Sequence, residues 1–207
     1  MQTVKLHFNY ILGYQIFDIS ELSYDYKDLK SLPDVPSMLK KFSCRVNRLR
    51  FLPDLPPALK KLNCSHNRLV FLPELPLTLT KLFCSNNRLS GLPNLSSTLT
   101  KLVCSHNHLI FLPELPPMLK KLFCSDNRLS FLPELPVSLI TLSCFKNNLE
   151  FLPDLPPNLK HLHCHSNKLK FLPEKPKKLE SFYCDDILED IPQQIIPFPS
   201  LFEICCR

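Results

Sequence analysis

Residues 51–70 read FLPDLPPALKKLNCSHNRLV, and this pattern of apolar residues, prolines and one asparagine recurs every 20 residues along the chain. The next unit, residues 71–90, reads FLPELPLTLTKLFCSNNRLS. Eight units run from residue 31 to residue 190, and a degenerate unit precedes them. A fixed period of this kind is typical of a solenoid, in which each repeat forms one coil that stacks on its neighbours.

The repeat divides the 207 residues into three parts. We predict an N-terminal cap over residues 1–18, a solenoid over residues 19–190 made of one degenerate and eight 20-residue units, and a degenerate repeat with a C-terminal cap over residues 191–207. The sequence has no apolar run of roughly 18 residues, and its N-terminus lacks a small-residue cleavage site. We therefore expect no membrane span, no signal peptide and an intracellular, cytoplasmic location.

Each unit predicts one short strand followed by an extended segment. In KLNC, Leu62 and Cys64 alternate with Lys61 and Asn63, so the first pair faces the core and the second faces outward. The LPxLP half carries two prolines, which lack an N–H group and disfavour helix in the preceding residue. The chain has only 2 glycines, which excludes the glycine-rich loops that hold nucleotide phosphates.

The segment LxxLxCxxNxL resembles the LxxLxLxxNxL core of leucine-rich repeats, with cysteine in the third apolar column. The LPxLPxxLxxLxxxxNxL spacing resembles the LPX subclass, found in bacterial effectors that act inside host cells. The cysteine column and the uniform units also resemble repeat proteins of amoeba-infecting giant viruses. The resemblance, over about residues 19–192, implies an α/β-type leucine-rich-repeat solenoid that is practically β. It implies short parallel strands on the concave face, an extended, polyproline-like convex side and little or no helix.

Two columns are interpreted as structural. In leucine-rich repeats the asparagine bonds backbone groups in the turn after the strand, and here that column is Asn47, Asn67, Asn87, Asn107, Asn127, Asn147 and Asn167. The inward cysteines are interpreted as a ladder of free thiols, because unpaired cysteine behaves as a small buried hydrophobe. Free thiols indicate a reducing compartment. The cysteine column is Cys44, Cys64, Cys84, Cys104, Cys124, Cys144, Cys164 and Cys184.

The outward columns predict the binding surface. Lysine fills one strand column and arginine a column near the edge of the sheet, whereas acidic residues fill a column within LPxLP on the far side. Concave solenoid faces are the usual binding surfaces, and aromatic residues beside basic ones suit interface cores. We expect a protein–protein interaction scaffold for a partner with an acidic surface. The candidate residues are Lys41, Lys61, Lys81, Phe83, Lys101, Val103, Lys121, Phe123, Phe145, Arg48, Arg68, Arg88 and Arg128.

Two other interpretations of the basic columns remain open. The lysine and arginine ladders could neutralise the phosphates of nucleic acid or another polyanion, although the sequence contains no nucleic-acid recognition motif. Alternatively, the face is merely solvated, with binding elsewhere or none.

No residue pattern indicates catalysis or a resident cofactor. His161, His163 and His165 alternate along one strand and are a weak candidate for a transition-metal site; an exposed polar strand with neutral histidines is the favoured interpretation. The triplet that begins at Cys184 matches the CxD motif of effector ubiquitin ligases. That cysteine belongs to the buried column, however, and only 23 residues follow it, so we predict no enzyme.

Phenylalanine opens six of the repeats, and we expect these rings to be mostly buried, because an exposed row would form a large apolar patch. Gly91 interrupts the column and its unit also lacks the second proline. We therefore expect a notch there and the weakest coil of the solenoid. The phenylalanine column is Phe51, Phe71, Phe111, Phe131, Phe151 and Phe171.

Overall fold

The computed structural model describes residues 20–185, which form nine parallel strands of three residues each. The strands make a single sheet and neighbour one another in chain order. Residues 20–185 contain no helix, and this confirms the predicted leucine-rich-repeat solenoid that is practically all β. The strands are β1 (Glu21–Ser23), β2 (Lys41–Ser43), β3 (Lys61–Asn63), β4 (Lys81–Phe83), β5 (Lys101–Val103), β6 (Lys121–Phe123), β7 (Thr141–Ser143), β8 (His161–His163) and β9 (Ser181–Tyr183).

The predicted caps, residues 1–18 and 191–207, lie outside the described residues. So do Asp186, the last residue of the CxD match, and Cys205 and Cys206, which fall outside the cysteine column. The domain boundaries therefore stay a prediction.

The strands pair in a register offset of 20 residues, so that Leu62 lies beside Leu82. Because the repeats have equal length, parallel stacking superposes equivalent residues, and each outward column becomes a row across the sheet. Backbone pairing continues beyond the strands: the Cys64 N–H donates to the Phe83 C=O at 2.8 Å. The period of the sequence thus sets the row structure of the whole surface.

Leucine and cysteine side chains fill the interior of each coil. In the coil that starts at residue 91, Leu99, Leu102, Cys104 and Leu109 are all 0% exposed. Burying one leucine side chain contributes about 1.5–3 kcal/mol. Because the coils bury equivalent leucines, each coil adds a similar amount of hydrophobic stabilisation. The hydrophobic core is continuous over the described coils.

The asparagine column ties each coil to the coil before it. The Asn107 Nδ2 donates to the C=O groups of Cys84 and Cys104 at 3.1 and 3.0 Å, and its Oδ1 accepts the Leu89 N–H at 3.0 Å. The residue before it, His106, has a left-handed φ of 56°. Equivalent bonds to the preceding coil recur from Asn47 to Asn167, so the amides satisfy buried backbone groups at the turn.

The LPxLP halves are extended in the described coils, as the prolines predict. Each ends in a turn, such as the one closed by the Leu59 N–H and the Pro56 C=O at 3.0 Å. In the fourth unit, Ser96 replaces this second proline and is only 2% exposed. Its Oγ donates to the Leu77 C=O at 2.6 Å, so a bonded hydroxyl takes the place of the second proline.

The expectation that the phenylalanine column is mostly buried is wrong. Phe51, Phe71, Phe111 and Phe171 are between 38% and 60% exposed. The leucine that follows each ring takes the inward position instead; Leu52, for example, is 5% exposed. Consecutive residues of an extended chain point to opposite sides, so leucine and phenylalanine cannot both enter the core. The rings line the outside of the solenoid.

Candidate protein-interaction surface

The sheet face presents two adjacent rows of outward side chains. The first position of β2 to β6 is lysine, and the third position of β4 to β6 is phenylalanine, valine and phenylalanine. Stacked strands place members of a row about 4.8 Å apart, and the two rows are separated by two residues of strand, about 6.6 Å. We call the central part of this face the lysine–phenylalanine patch; it consists of Lys61, Lys81, Lys101, Lys121, Phe83, Val103 and Phe123.

Cation–π contacts join the two rows. The Lys101 Nζ lies 5.1 Å from the ring centre of Phe83 and 5.6 Å from that of Phe123, and the Lys61 Nζ lies 5.6 Å from Phe83. An ammonium group within about 6 Å of a ring is attracted by the negative face of the ring. Lys101 thus sits between two rings, and the patch is a mixed basic and aromatic surface.

The four lysines of the patch carry mutually repelling charge. Partial burial lowers the pKa of Lys101 below the ordinary lysine value, and repulsion from the other three lysines lowers it further. Among residues 20–185, no carboxylate forms an ion pair with any of the four. The patch therefore retains positive charge that an incoming anionic group can neutralise.

At the N-terminal end of the described solenoid, one residue of the lysine column and one of the arginine column form ion pairs with carboxylates. Lys41, in β2, pairs with Glu21 of β1, and Arg48 pairs with Asp28. Both pairs join residues 20 positions apart, which the repeat makes neighbours. Lys41 and Arg48 were predicted to bind a partner, but the structure places each of them against a carboxylate of the degenerate repeat.

The predicted arginine column lies off the sheet. Arg68, Arg88 and Arg128 are exposed and follow the asparagine in the turn after each strand. Their backbone N–H groups bond to the preceding coil; that of Arg68 donates to the Leu49 C=O at 2.8 Å. They flank the sheet face and are not part of the lysine–phenylalanine patch.

The far end of the sheet face is aromatic and carries histidine in place of lysine. The rings of Phe145 and His165 stack with centres 4.7 Å apart and an interplanar angle of 9°. The ring of His163 meets Tyr183 edge-on at 4.9 Å, and its Nε2 lies 3.2 Å from the Ser181 Oγ. Partial burial lowers the pKa of His163, and the neighbouring histidines lower it further, so this end carries less positive charge than the patch.

The three alternating histidines do not form a metal site within the described coils. His165 stacks on a phenyl ring, whereas His163 contacts a hydroxyl and a tyrosine. Residues 20–185 contain no group of three or more histidine, cysteine or acidic side chains arranged to hold a metal ion.

The cysteine column lies in the interior. Cys44 to Cys164 are buried free thiols, and Cys184, at the last described coil, is partly buried. Burial raises the pKa of Cys104 to about 12, and it raises the pKa of Cys44 to about 12 with help from Asp25. A nucleophilic cysteine needs a lowered pKa, so these thiols lack the thiolate character that catalysis requires.

The fold and the 20-residue repeat define a leucine-rich-repeat solenoid with repeats of the LPX, bacterial-effector type. The chain is similar to YopM from Yersinia enterocolitica WA-314, with 37% identity, a TM-score of 0.67 and coverage of 80% of this chain and 42% of that one. It is also similar to the leucine-rich-repeat domain of a Shigella effector, with 31% identity, a TM-score of 0.57 and coverage of 74% and 61%. It spans less than two thirds of either structure.

The functional domain of InlJ from Listeria monocytogenes, which includes a cysteine ladder, matches with 24% identity and a TM-score of 0.52. The match covers 72% of this chain and 44% of that one; at this identity it shows the fold alone. No family model matches the chain, and no curated protein sequence matches it. Within residues 20–185, no helix is long and apolar enough to cross a membrane.

Proposed function

We propose that this chain is a non-enzymatic interaction scaffold that binds a protein with an acidic surface through the lysine–phenylalanine patch on its concave sheet face. One observation carries the proposal: four stacked lysines without an ion-pair partner in the described coils lie beside half-buried phenyl rings, over which two of them are placed. Aromatic side chains are enriched at interface centres, and charged side chains around them steer a partner of opposite charge.

The aromatic rings of the patch allow a protein partner to be distinguished from a phosphate backbone by the salt dependence of binding. Aromatic side chains supply contact area that persists at high salt, whereas phosphate contacts are lost steeply as salt rises. Four lysine–phosphate contacts alone would lower affinity roughly 100-fold between 50 and 200 mM salt. Binding that falls only a few-fold over this range supports the protein partner; the steep fall would support nucleic acid or another polyanion.

Charge reversal tests the proposal directly. The triple variant Lys81→Glu, Lys101→Glu, Lys121→Glu should capture a partner from host-cell lysate about tenfold less tightly than the wild type, because carboxylate then faces carboxylate. Its matched control reverses the three exposed charges Lys30, Arg50 and Lys177, which lie outside the strands. Equal losses in both variants, or no loss in the first, would contradict the proposal.

The proposed setting is the interior of a cell, including that of a host cell. The similar Shigella structure comes from an effector by its own description, and a ladder of buried free thiols suits a reducing compartment. The resemblance to giant-virus repeat proteins remains a separate prediction about origin.

A further inference from the structure

The spacing of the two rows restricts what can bind them. The lysine row repeats about every 4.8 Å along the solenoid, so Lys61, Lys81, Lys101 and Lys121 span about 14.4 Å in three steps. An extended peptide presents side chains on one face about every 6.6 Å. Carboxylates on such a peptide would overrun the row by about 5 Å at the fourth lysine, so an extended strand is a poor match.

An α-helix that lies along the solenoid axis matches the row. With a rise of about 1.5 Å per residue, positions i, i+3, i+7 and i+10 lie at about 0, 4.5, 10.5 and 15 Å. Each falls within about 1 Å of the corresponding strand position. These positions form one stripe of the helix surface, so four carboxylates can meet four lysines at once.

The second row fits the same helix. Phe83, Val103 and Phe123 stand two residues after the second, third and fourth lysines of the patch. In the helix, the residues that follow the matching carboxylates, at i+4, i+8 and i+11, form an adjacent stripe on one side of the acidic stripe. Apolar side chains there would contact the rings. The first lysine has Asn63 in the second row, so no apolar residue is required at i+1.

The column next to the phenylalanine row consists of small residues beside the patch. Ser105 is partly exposed, whereas Ser85 and Ser125 are buried, so this column adds no projecting side chain beside the two rows. Beyond it in the same column, Phe145 stacks with His165 and ends the row of small residues. A helix with its side chains is about 10–12 Å wide, which is comparable with the width of the two rows and the serine column together.

We infer that the partner of the lysine–phenylalanine patch is an amphipathic α-helix with carboxylates at i, i+3, i+7 and i+10 and apolar residues at i+4, i+8 and i+11. The helix lies along the stacking direction of the strands. This inference rests on the proposed function and gives it a partner class. An extended acidic peptide and a single-stranded nucleic acid are the competing occupants.

The test uses three stapled or capped 16-residue peptides and the full chain. The first, the matched helix, is a stapled helix with glutamate and leucine at the stated positions. The second is a stapled helix of the same composition in which the glutamates are distributed around the helix axis. The third is an extended, proline-containing peptide with glutamate at alternate positions. Binding is measured by fluorescence anisotropy at 0.15 M salt. The matched helix should bind roughly tenfold more tightly than the other two, because only it engages both rows.

Two variants assign that preference to the patch. Phe83→Ala with Phe123→Ala should abolish the preference for the matched helix, whereas Phe51→Ala with Phe71→Ala, which removes exposed rings outside the sheet, should keep it. Equal binding of all three peptides would overturn the helix inference while leaving an acidic partner in place. Tighter binding of the extended peptide or of a single-stranded oligonucleotide would also overturn it. If no acidic peptide binds, both the inference and the proposed function fail.

Discussion

We expect the solenoid to lose stability at mildly alkaline pH because seven of its thiols are buried. No acidic or basic side chain is buried among residues 20–185. Burial raises the pKa of these thiols, to about 12 for Cys44 and Cys104, whereas an unfolded cysteine ionises near pH 8.5. A raised folded pKa contributes stability that is fully present below the unfolded value and is lost as pH rises toward the folded value. The unfolded chain therefore gains stability from about pH 8.5 upward.

The magnitude follows from the number of thiols. One pH unit above the unfolded pKa, each thiol that stays protonated in the fold lowers the free energy of unfolding by about 1.4 kcal/mol. Seven cysteines, from Cys44 to Cys164, are buried, so the loss near pH 9.5 is about 10 kcal/mol. Domains of ordinary stability unfold with about 5–15 kcal/mol. We therefore predict cooperative unfolding close to pH 9.5, before most lysines titrate at about pH 10.4.

Urea titrations at pH 7.0, 8.5 and 9.5, followed by circular dichroism with a non-thiol reductant present, measure this loss. The variant Cys64→Val, Cys104→Val, Cys124→Val removes three of the titrating groups, so its loss between pH 7.0 and 9.5 should be smaller by about 4 kcal/mol. Comparing each protein with itself at two pH values cancels the packing effect of the substitutions. A free energy of unfolding that stays constant to pH 9.5 in the wild type would show that the buried thiols do not destabilise the fold at alkaline pH.

Four further predictions concern single coils. The Ser85 Oγ is buried without a hydrogen-bond partner in the described part of the chain, so Ser85→Ala should leave the urea midpoint unchanged or raise it. The Ser125 Oγ bonds to a neighbouring hydroxyl at 2.8 Å, so Ser125→Ala should lower the free energy of unfolding by about 1 kcal/mol. Asn107→Ala should lower it by about 3 kcal/mol, since backbone groups of two coils lose their partner, and a loss below 1 kcal/mol would count against the ladder. Cys104→Asp should give an unfolded far-ultraviolet spectrum at pH 7, because its carboxylate would be buried unpaired; a native spectrum would place that column outside the core. Gly91→Phe should raise the melting temperature by about 2 °C, since a Cβ there meets only the Phe111 ring at 4.0 Å; a lower melting temperature would contradict this. Hydrogen exchange in the wild type should be fastest in this fourth unit, and uniform exchange across the described coils would contradict that expectation.

The period of the sequence predicted much of the fold for a physical reason. Equal repeats must stack in register, so the alternation of Leu62 and Cys64 with Lys61 and Asn63 predicts every strand from a single unit. The burial of the phenylalanine column was mispredicted because it was inferred from hydrophobicity alone, without the alternation of side chains along an extended chain. Two adjacent bulky residues cannot both face inward on an extended chain, and Leu52 rather than Phe51 occupies the core.

The site was only partly predictable. The lysine row follows from the repeat, but the cation–π contacts depend on side-chain conformations that sequence does not specify. The ion pairs that neutralise Lys41 and Arg48 were missed, although a signal existed. Each of the five ion pairs in the described coils joins residues 20 positions apart, so comparing every charge with the residue one repeat away would have found them.

We propose that the sheet face, and not the outside of the coils, contacts the partner. A photo-crosslinking residue at Val103, in the centre of the lysine–phenylalanine patch, tests this against the same residue at Val137, which is 72% exposed and outside the strands. After capture from host-cell lysate, the account predicts a covalent adduct with an acidic protein from position 103 and none from position 137. An adduct formed only from position 137 would contradict it.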